Sequence, residues 1–421
     1  MAHRRTGVIA SLLLIASLVA SQATASASTA APKLQLQPLQ FKGLGDIALL
    51  IGNDGINGSN LFTILNFHQS THSYFVQRHV IAASFSGDGL WMSTSVIQNN
   101  QIQNFLDSSN GKVKTNLGSA LYAGTFVPHG HTYYYSTMGG KFYRVTPPDN
   151  PVEIPIKLPP NSRITGISFF NQHQALLSLT LNDNNYTDDY DQIAIWNVGS
   201  TSLSPLIKST PPNGLILGPW LNQTAFFYWY DPYHSASIAA DGLPLYVYQN
   251  GKSTLVSHTY ASANSVLPAN RQNAVIWQNY SRSYFLGDQE SLIFWPHRSM
   301  KVPTQQLAMF PALNPSHTQM AVVLGKKQPA SQLASGSAIN RWFSNLQLGT
   351  ISLPSHSLNV LKNAGTGVMN PAFDASGKQI VYALTNQAAW INANGQGTKH
   401  VFASVFPSTA QNELTIVSYL P

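Results

Sequence analysis

The sequence predicts an all-β fold, a single β-propeller of seven or eight four-stranded blades. Three observations predict it. The stretch from Asn370 to Lys399, NPAFDASGKQIVYALTNQAAWINANGQGTK, reads as one unit of short strands with a turn at a fixed place. Weaker copies of its first half recur upstream every 40 to 60 residues. Short strands in a repeat of that length mean a propeller array. Finally, the N-terminal strands lack a good preceding copy, so the natural solution is closure by pairing of the C-terminal strand with the N-terminal ones.

The unit is a small residue or Pro, then an apolar anchor, a polar turn, and a run of apolar residues. Pro371-Ala-Phe373 leads through Asp374–Lys378 into Gln379-Ile-Val-Tyr-Ala383. Pro311-Ala-Leu313 leads into Met320-Ala-Val-Val-Leu324, and Ala83-Ser-Phe85 into Leu90-Trp-Met-Ser93. Looser copies centre on Phe126, Phe169, Trp220 and Leu267, and an eighth anchor is expected at Phe406. The anchor packs between neighbouring sheets, and the Asp/Asn/Ser/Gly turn reverses the chain. The next run is apolar throughout because a strand inside a blade is covered on both faces. Asn53–Asn60 and Asn182–Asp191 read as outward hairpin loops. Lys326–Asn340 reads as an exposed loop, and almost no helix is expected after residue 30.

The segment NPAFDASGKQIVYAL with AAWINANGQGTK resembles the TolB-type, WD-like propeller repeat. Pro371, Phe373, Gly377, Lys378, Ile380 and Tyr382 match its first half, and Trp390, Asn392 and Gly395 its second. Ala375-Ser376 stands where the family usually has Pro-Asp. The resemblance is good over residues 370–399, fair at 311–324 and 83–95, and faint elsewhere. It implies a fold and no particular activity, because these are scaffold positions.

The N-terminus reads as a secretory signal peptide over residues 1–27. Arg4 and Arg5 precede an uncharged apolar run, Gly7–Ala20, and A-x-A spacing follows at Ala23, Ala25 and Ala27. That run has 14 residues, against roughly 20 for a spanning helix. Residues 28–40 read as a short linker and 41–421 as the propeller. No second long apolar run follows, so no membrane span is expected in the mature chain.

Asp, Glu, Lys and Arg make up 9% of the chain, against about 25% in typical domains. Asn (33) and Gln (27) outnumber the 39 charged residues, so amides and hydroxyls must wet the surface. A hydrophobic content of 43% argues against disorder. With only 16 carboxylates, few groups change charge on acidification, which fits an acidic extracellular habitat. The net charge of +7 comes from few acids rather than from a basic stripe, and nucleic acid is not an expected partner. The absence of cysteine excludes thiolate metal sites and thiol nucleophiles.

Two places carry candidate site residues. Asp183, Asp188, Asp189 and Asp191 form the densest acidic cluster, either a Ca²⁺ site or a solvated hairpin tip. No other cofactor is expected. Phe226–His234, FFYWYDPYH, is the heaviest aromatic run. Its first part reads as an inner strand of the core, and Tyr230, Asp231, Tyr233 and His234 as a following loop suited to sugar or peptide contact. His68/His72 and His129/His131 have zinc-like spacings without acidic or cysteine partners nearby. No G-x-S-x-G elbow occurs.

These readings lead to a secreted or envelope-associated, monomeric, non-catalytic propeller binding a protein, peptide or polysaccharide. The alternative is an extracellular carbohydrate-active hydrolase or lyase with its site at the central channel mouth. Inward-facing carboxylates or histidines at that mouth would favour the enzyme; aromatic and amide lining would favour binding.

Overall fold

The computed structural model describes residues 41, 46–51, 61–66, 73–181, 189–234, 243–261, 266–277, 292–296, 298–300, 306–328, 332, 335–384, 387–401 and 414–419. The expected signal peptide and linker, the loop 53–60, the pair His68/His72 and the anchor Phe406 lie outside them.

Among the described residues there are eight four-stranded antiparallel sheets, and in seven of them four consecutive strands pair in chain order. The innermost strands of these seven blades are Val80–Phe85, Leu121–Phe126, Ser162–Asn171, Gly214–Asn222, Val266–Pro268, Gln306–Leu313 and Met369–Phe373. The copy around Leu267, on which the choice between seven and eight blades turned, forms a full blade of its own. The eighth sheet draws on both chain ends: Leu414–Tyr419 pairs antiparallel with Asp46–Ile51, which pairs with Leu61–Asn66 and then Ser73–Arg78. Inner strands sit side by side. Ser162–Asn171 lies against both Leu121–Phe126 and Gly214–Asn222, and Leu414–Tyr419 against both Met369–Phe373 and Val80–Phe85.

The core lies between blades. Leu176 and Ile193 of the third blade pack on Leu215, Trp220, Phe226 and Tyr228 of the fourth. Tyr134 and Phe142 of the second pack on Trp196 of the third. Each such side chain withdrawn from water contributes about 2 kcal/mol. Second strands such as Gln174–Leu181 and Gln319–Lys326 are buried on both faces, as their unbroken apolar runs require.

At three anchors a single side chain holds the turn that follows. Asp374 accepts from the Gln379 N–H at 2.9 Å and from Ser376 Oγ at 2.5 Å, while its own N–H donates to the Gln379 carbonyl. Asn314 does the same for Thr318 and Gln319, and Ser86 for Trp91. Gly377 sits at φ 69°, a conformation glycine adopts without a Cβ penalty.

The insertion expected as an exposed loop holds a helix, Gly336–Phe343. Ser335 caps it by accepting from the Ala338 N–H. Trp342, 4% exposed, pins it to the sixth blade and donates from Nε1 to the Lys326 carbonyl at 2.8 Å. A buried tryptophan turns the Gln/Ser/Ala-rich stretch into an anchored helical turn.

Candidate functional site

The third and fourth blades meet at a cluster of acids around one histidine. Asp191 is the second residue of the third strand of its blade, Tyr190–Asn197, and pairs in register with Thr180. Its main chain exchanges hydrogen bonds with Ser209, which fixes the side chain's direction. Oδ1 accepts from Thr180 Oγ1 at 2.6 Å, and Oδ2 from the Leu215 N–H at 2.8 Å. A carboxylate of the third blade thus caps the start of the fourth blade's inner strand.

His234 comes to the same oxygen from the other side. It ends the single 3-10 turn Pro232–His234 that follows the strand Ala225–Asp231. Its φ of 45° aims the ring back over the blade boundary. Nε2 lies 3.3 Å from Asp191 Oδ2, and Nδ1 lies 3.5 Å from Asp189 Oδ1. Gly214 makes room for the ring: a Cβ there would meet His234 Cδ2 at 2.4 Å and Nε2 at 2.6 Å.

Burial pushes the His234 pKa down, but the bond to Asp191 and the charges of Asp191, Asp189 and Asp231 outweigh it. The net pKa is raised, so the imidazolium is the favoured form over a wider pH range than for a free histidine. Asp189 and Asp191 are 2% and 5% exposed. These two are therefore not at a solvated hairpin tip: register places Asp191 against Thr180, with Leu215 and His234 also at its carboxylate, and Asp189 is buried beside His234. Asp183 and Asp188 lie outside the described residues.

The residues expected in the loop after the aromatic run divide differently. Tyr230 and Asp231 are the last residues of the strand, since pairing continues to Gly214↔Asp231. Tyr230 meets the Tyr246 ring edge-on, and Asp231 is buried. Tyr233 belongs to the 3-10 turn, and its side chain is outside the described set. The run Phe226–Trp229 is core, as its composition implied. Two separately read candidates, the acidic hairpin and the aromatic loop, come together through Asp189, Asp191, Asp231 and His234. Among the described residues no group of three or more His, Asp or Glu is arranged to hold a metal ion.

A second feature went unread in the sequence. At the opposite end of the inner strands a cleft of about 400 Å³ opens between the first three blades. Phe85, Phe126 and Phe169 and the residues just before them, Ser84, Thr125 and Ser168, line it, and no charged residue does. At the adjoining turns Asp88 Oδ2 and His131 Nδ1 are 2.5 Å apart, and the Gly87 N–H donates to the Gly130 carbonyl. The signal was available: Asp88 and His131 follow the anchors Phe85 and Phe126 by three and five residues, in the same turn of adjacent copies.

Solved structures share this architecture at very low identity. Dipeptidyl peptidase 4 of Porphyromonas gingivalis aligns with TM-score 0.54 and 7% identity over 86% of this chain and 60% of that one. An oligogalacturonate lyase of Vibrio parahaemolyticus aligns at 0.46 and 8%, over 86% and 97%. TolB of Acinetobacter baumannii aligns at 0.39 and 10%, over 90% and 67%. No protein-family model and no curated protein matches the chain. The likeness is one of fold, a β-propeller with TolB among its structural matches, and it leaves activity open.

Proposed function

We propose that the protein is an exported, non-catalytic propeller that binds a protein, peptide or polysaccharide at the cell surface or outside the cell. One observation carries the reading. Both ring nitrogens of His234 face carboxylates, Nε2 to Asp191 and Nδ1 to Asp189. A general acid or base needs a ring nitrogen within hydrogen-bond reach of the reacting proton. Here the densest acid–base cluster among the described residues fastens two blades and turns neither nitrogen to a substrate. The uncharged cleft at the other end supports binding by the same logic. Export follows from the N-terminal segment, and no helix among the described residues is long and apolar enough to cross a membrane.

The test is to incubate the purified chain with neutral and acidic polysaccharides, peptides and envelope proteins. Retention and turnover are scored together. Retention without new reducing ends, unsaturated products or cleaved peptide is expected. Turnover that Asp191→Asn and His234→Gln abolish while the fold persists would establish the alternative, a carbohydrate-active enzyme. Secreted material beginning near Ser26 or Ser28 supports export, and an intact Met1 would mark the segment as an anchor.

A further inference from the structure

The propeller repeats its scaffold but not its cleft. In the seven blades built from consecutive strands the residue before the anchor lies on the inner strand. At the first three anchors that residue is Ser84, Thr125 and Ser168; at the next four it is Pro219, Val266, Ala312 and Ala372. A scaffold requirement would apply to all of these positions. Among these seven positions the hydroxyls fall in three consecutive blades, and those three blades line the cleft.

The hydroxyls are not consumed by the fold to the same degree. Ser84 Oγ pairs with Ser93 Oγ at 2.7 Å. Thr125 Oγ1 makes only a long contact, 3.4 Å, to the neighbouring Phe126 carbonyl. The Ser168 carbonyl accepts from Trp220 Nε1 at 2.9 Å, while its hydroxyl has no such bond with another described residue. Phe85, Phe126 and Phe169 complete the lining: Phe126 is buried edge-on against Tyr133, and Phe85 and Phe169, packed on Phe41 and Tyr134, stay partly exposed. The rim is held in place by the Asp88–His131 pair and the Gly87–Gly130 bond, so the walls are set before anything binds.

We infer that this cleft is a binding site for an uncharged saccharide ring, presented by a neutral polysaccharide or oligosaccharide. The inference rests on the binding function proposed above and names its ligand class. A sugar ring has apolar C–H faces for the partly exposed Phe85 and Phe169. Its hydroxyl edge both donates and accepts, as Ser and Thr hydroxyls do. An apolar peptide side chain would fill the same space but leave the hydroxyls unpaired, which is costly once water is excluded. A uronate would meet no cation in the lining, and at the rim His131 is already paired with the Asp88 carboxylate.

The test uses short neutral hexose oligomers, uronate oligomers of matched length and apolar peptides, titrated into the full chain by calorimetry. Neutral oligomers should bind, with uronates and peptides at least about tenfold weaker. Thr125→Val and Ser168→Ala each delete a hydroxyl and little else. Each should weaken neutral-oligomer binding about fivefold, with the melting temperature unchanged. Uronates or peptides held as tightly as neutral oligomers would overturn the inference. So would neutral-oligomer binding indifferent to both substitutions, which would leave the binding function standing with its site elsewhere. Failure of every polysaccharide, peptide and protein tried to bind would sink the function itself and the inference with it.

Discussion

His234 and Asp191 belong to neighbouring blades, and His234 Nε2 stands 3.3 Å from the Asp191 oxygen that also accepts the Leu215 N–H at 2.8 Å. One buried carboxylate oxygen therefore serves two parts of the fourth blade at once, the start of its inner strand and the turn after its second strand. Asp191→Asn keeps the shape and removes the charge. It should destabilise the fold by about 3 kcal/mol, the scale for removing one partner of a buried pair. Chemical denaturation of wild type and variant checks this; an unchanged midpoint would show that the contact holds nothing.

Gly214 controls the approach of the ring. Gly214→Ala places a methyl group at 2.4 Å from His234 Cδ2, so the ring must move away from Asp191. The expected cost is about 1–3 kcal/mol, as for other overpacked sites. The His234 pKa, read by NMR titration, should fall toward its ordinary value of 6.5 as the carboxylates recede. A wild-type-like titration in the variant would show that the glycine has no such role.

Stability should change little on acidification, because the resolved shifts oppose one another. Burial raises the Asp88 pKa, but Ser86, the Leu90 N–H and His131 lower it further, so the net shift is down. Its contribution is present above its unfolded pKa and is lost as pH falls through the folded one. Burial raises Asp107 despite Lys114 and Thr94, so protonation of that group favours the folded state. His234 is raised, so its contribution is complete below its unfolded pKa and is lost as pH rises through the folded one. Melting temperatures from about pH 7 to pH 4 should vary by only a few degrees. His234→Gln should lose the gain near pH 6 and keep the rest of the profile. A steep collapse of the wild type on acidification would contradict this balance.

The turn of the seventh blade offers a local test of the repeat. Asp374→Ala removes acceptors for the Gln379 N–H and Ser376 Oγ, and should cost about 1–2 kcal/mol. Gly377→Ala, at φ 69°, should cost about 1 kcal/mol. Hydrogen exchange at Gln379 should accelerate in the first variant. No change there would mean that the side chain does not hold the turn.

Calcium is expected to leave the melting temperature unchanged relative to chelator, since both Asp191 oxygens accept from protein donors and Asp189 is buried beside His234. A rise of several degrees, abolished by Asp188→Asn with Asp189→Asn, would establish an ion site at the hairpin.

The sequence by itself determined the architecture. A propeller repeats one local solution: anchor, side-chain-held turn and doubly covered strand. Each part leaves a short-range mark, as at Phe373, Asp374, Gly377 and the run from Ile380 to Ala383. The same logic foretold that Phe226–Trp229 would be core and that the last strand would pair with the first. The helix at Gly336–Phe343 escaped it, because what orders that segment is the burial of Trp342 against the sixth blade. Both candidate sites were decided only by the tertiary structure. Asp191 and His234 are 43 residues apart, as are Asp88 and His131. Each pair meets because propeller packing sets equivalent positions of adjacent blades side by side. The cleft likewise depends on three residues, Ser84, Thr125 and Ser168, that are unremarked singly and form a wall only when their strands stand next to one another. Local patterns carry the strands, whereas side-chain contacts between blades depend on register and burial, which no single repeat contains.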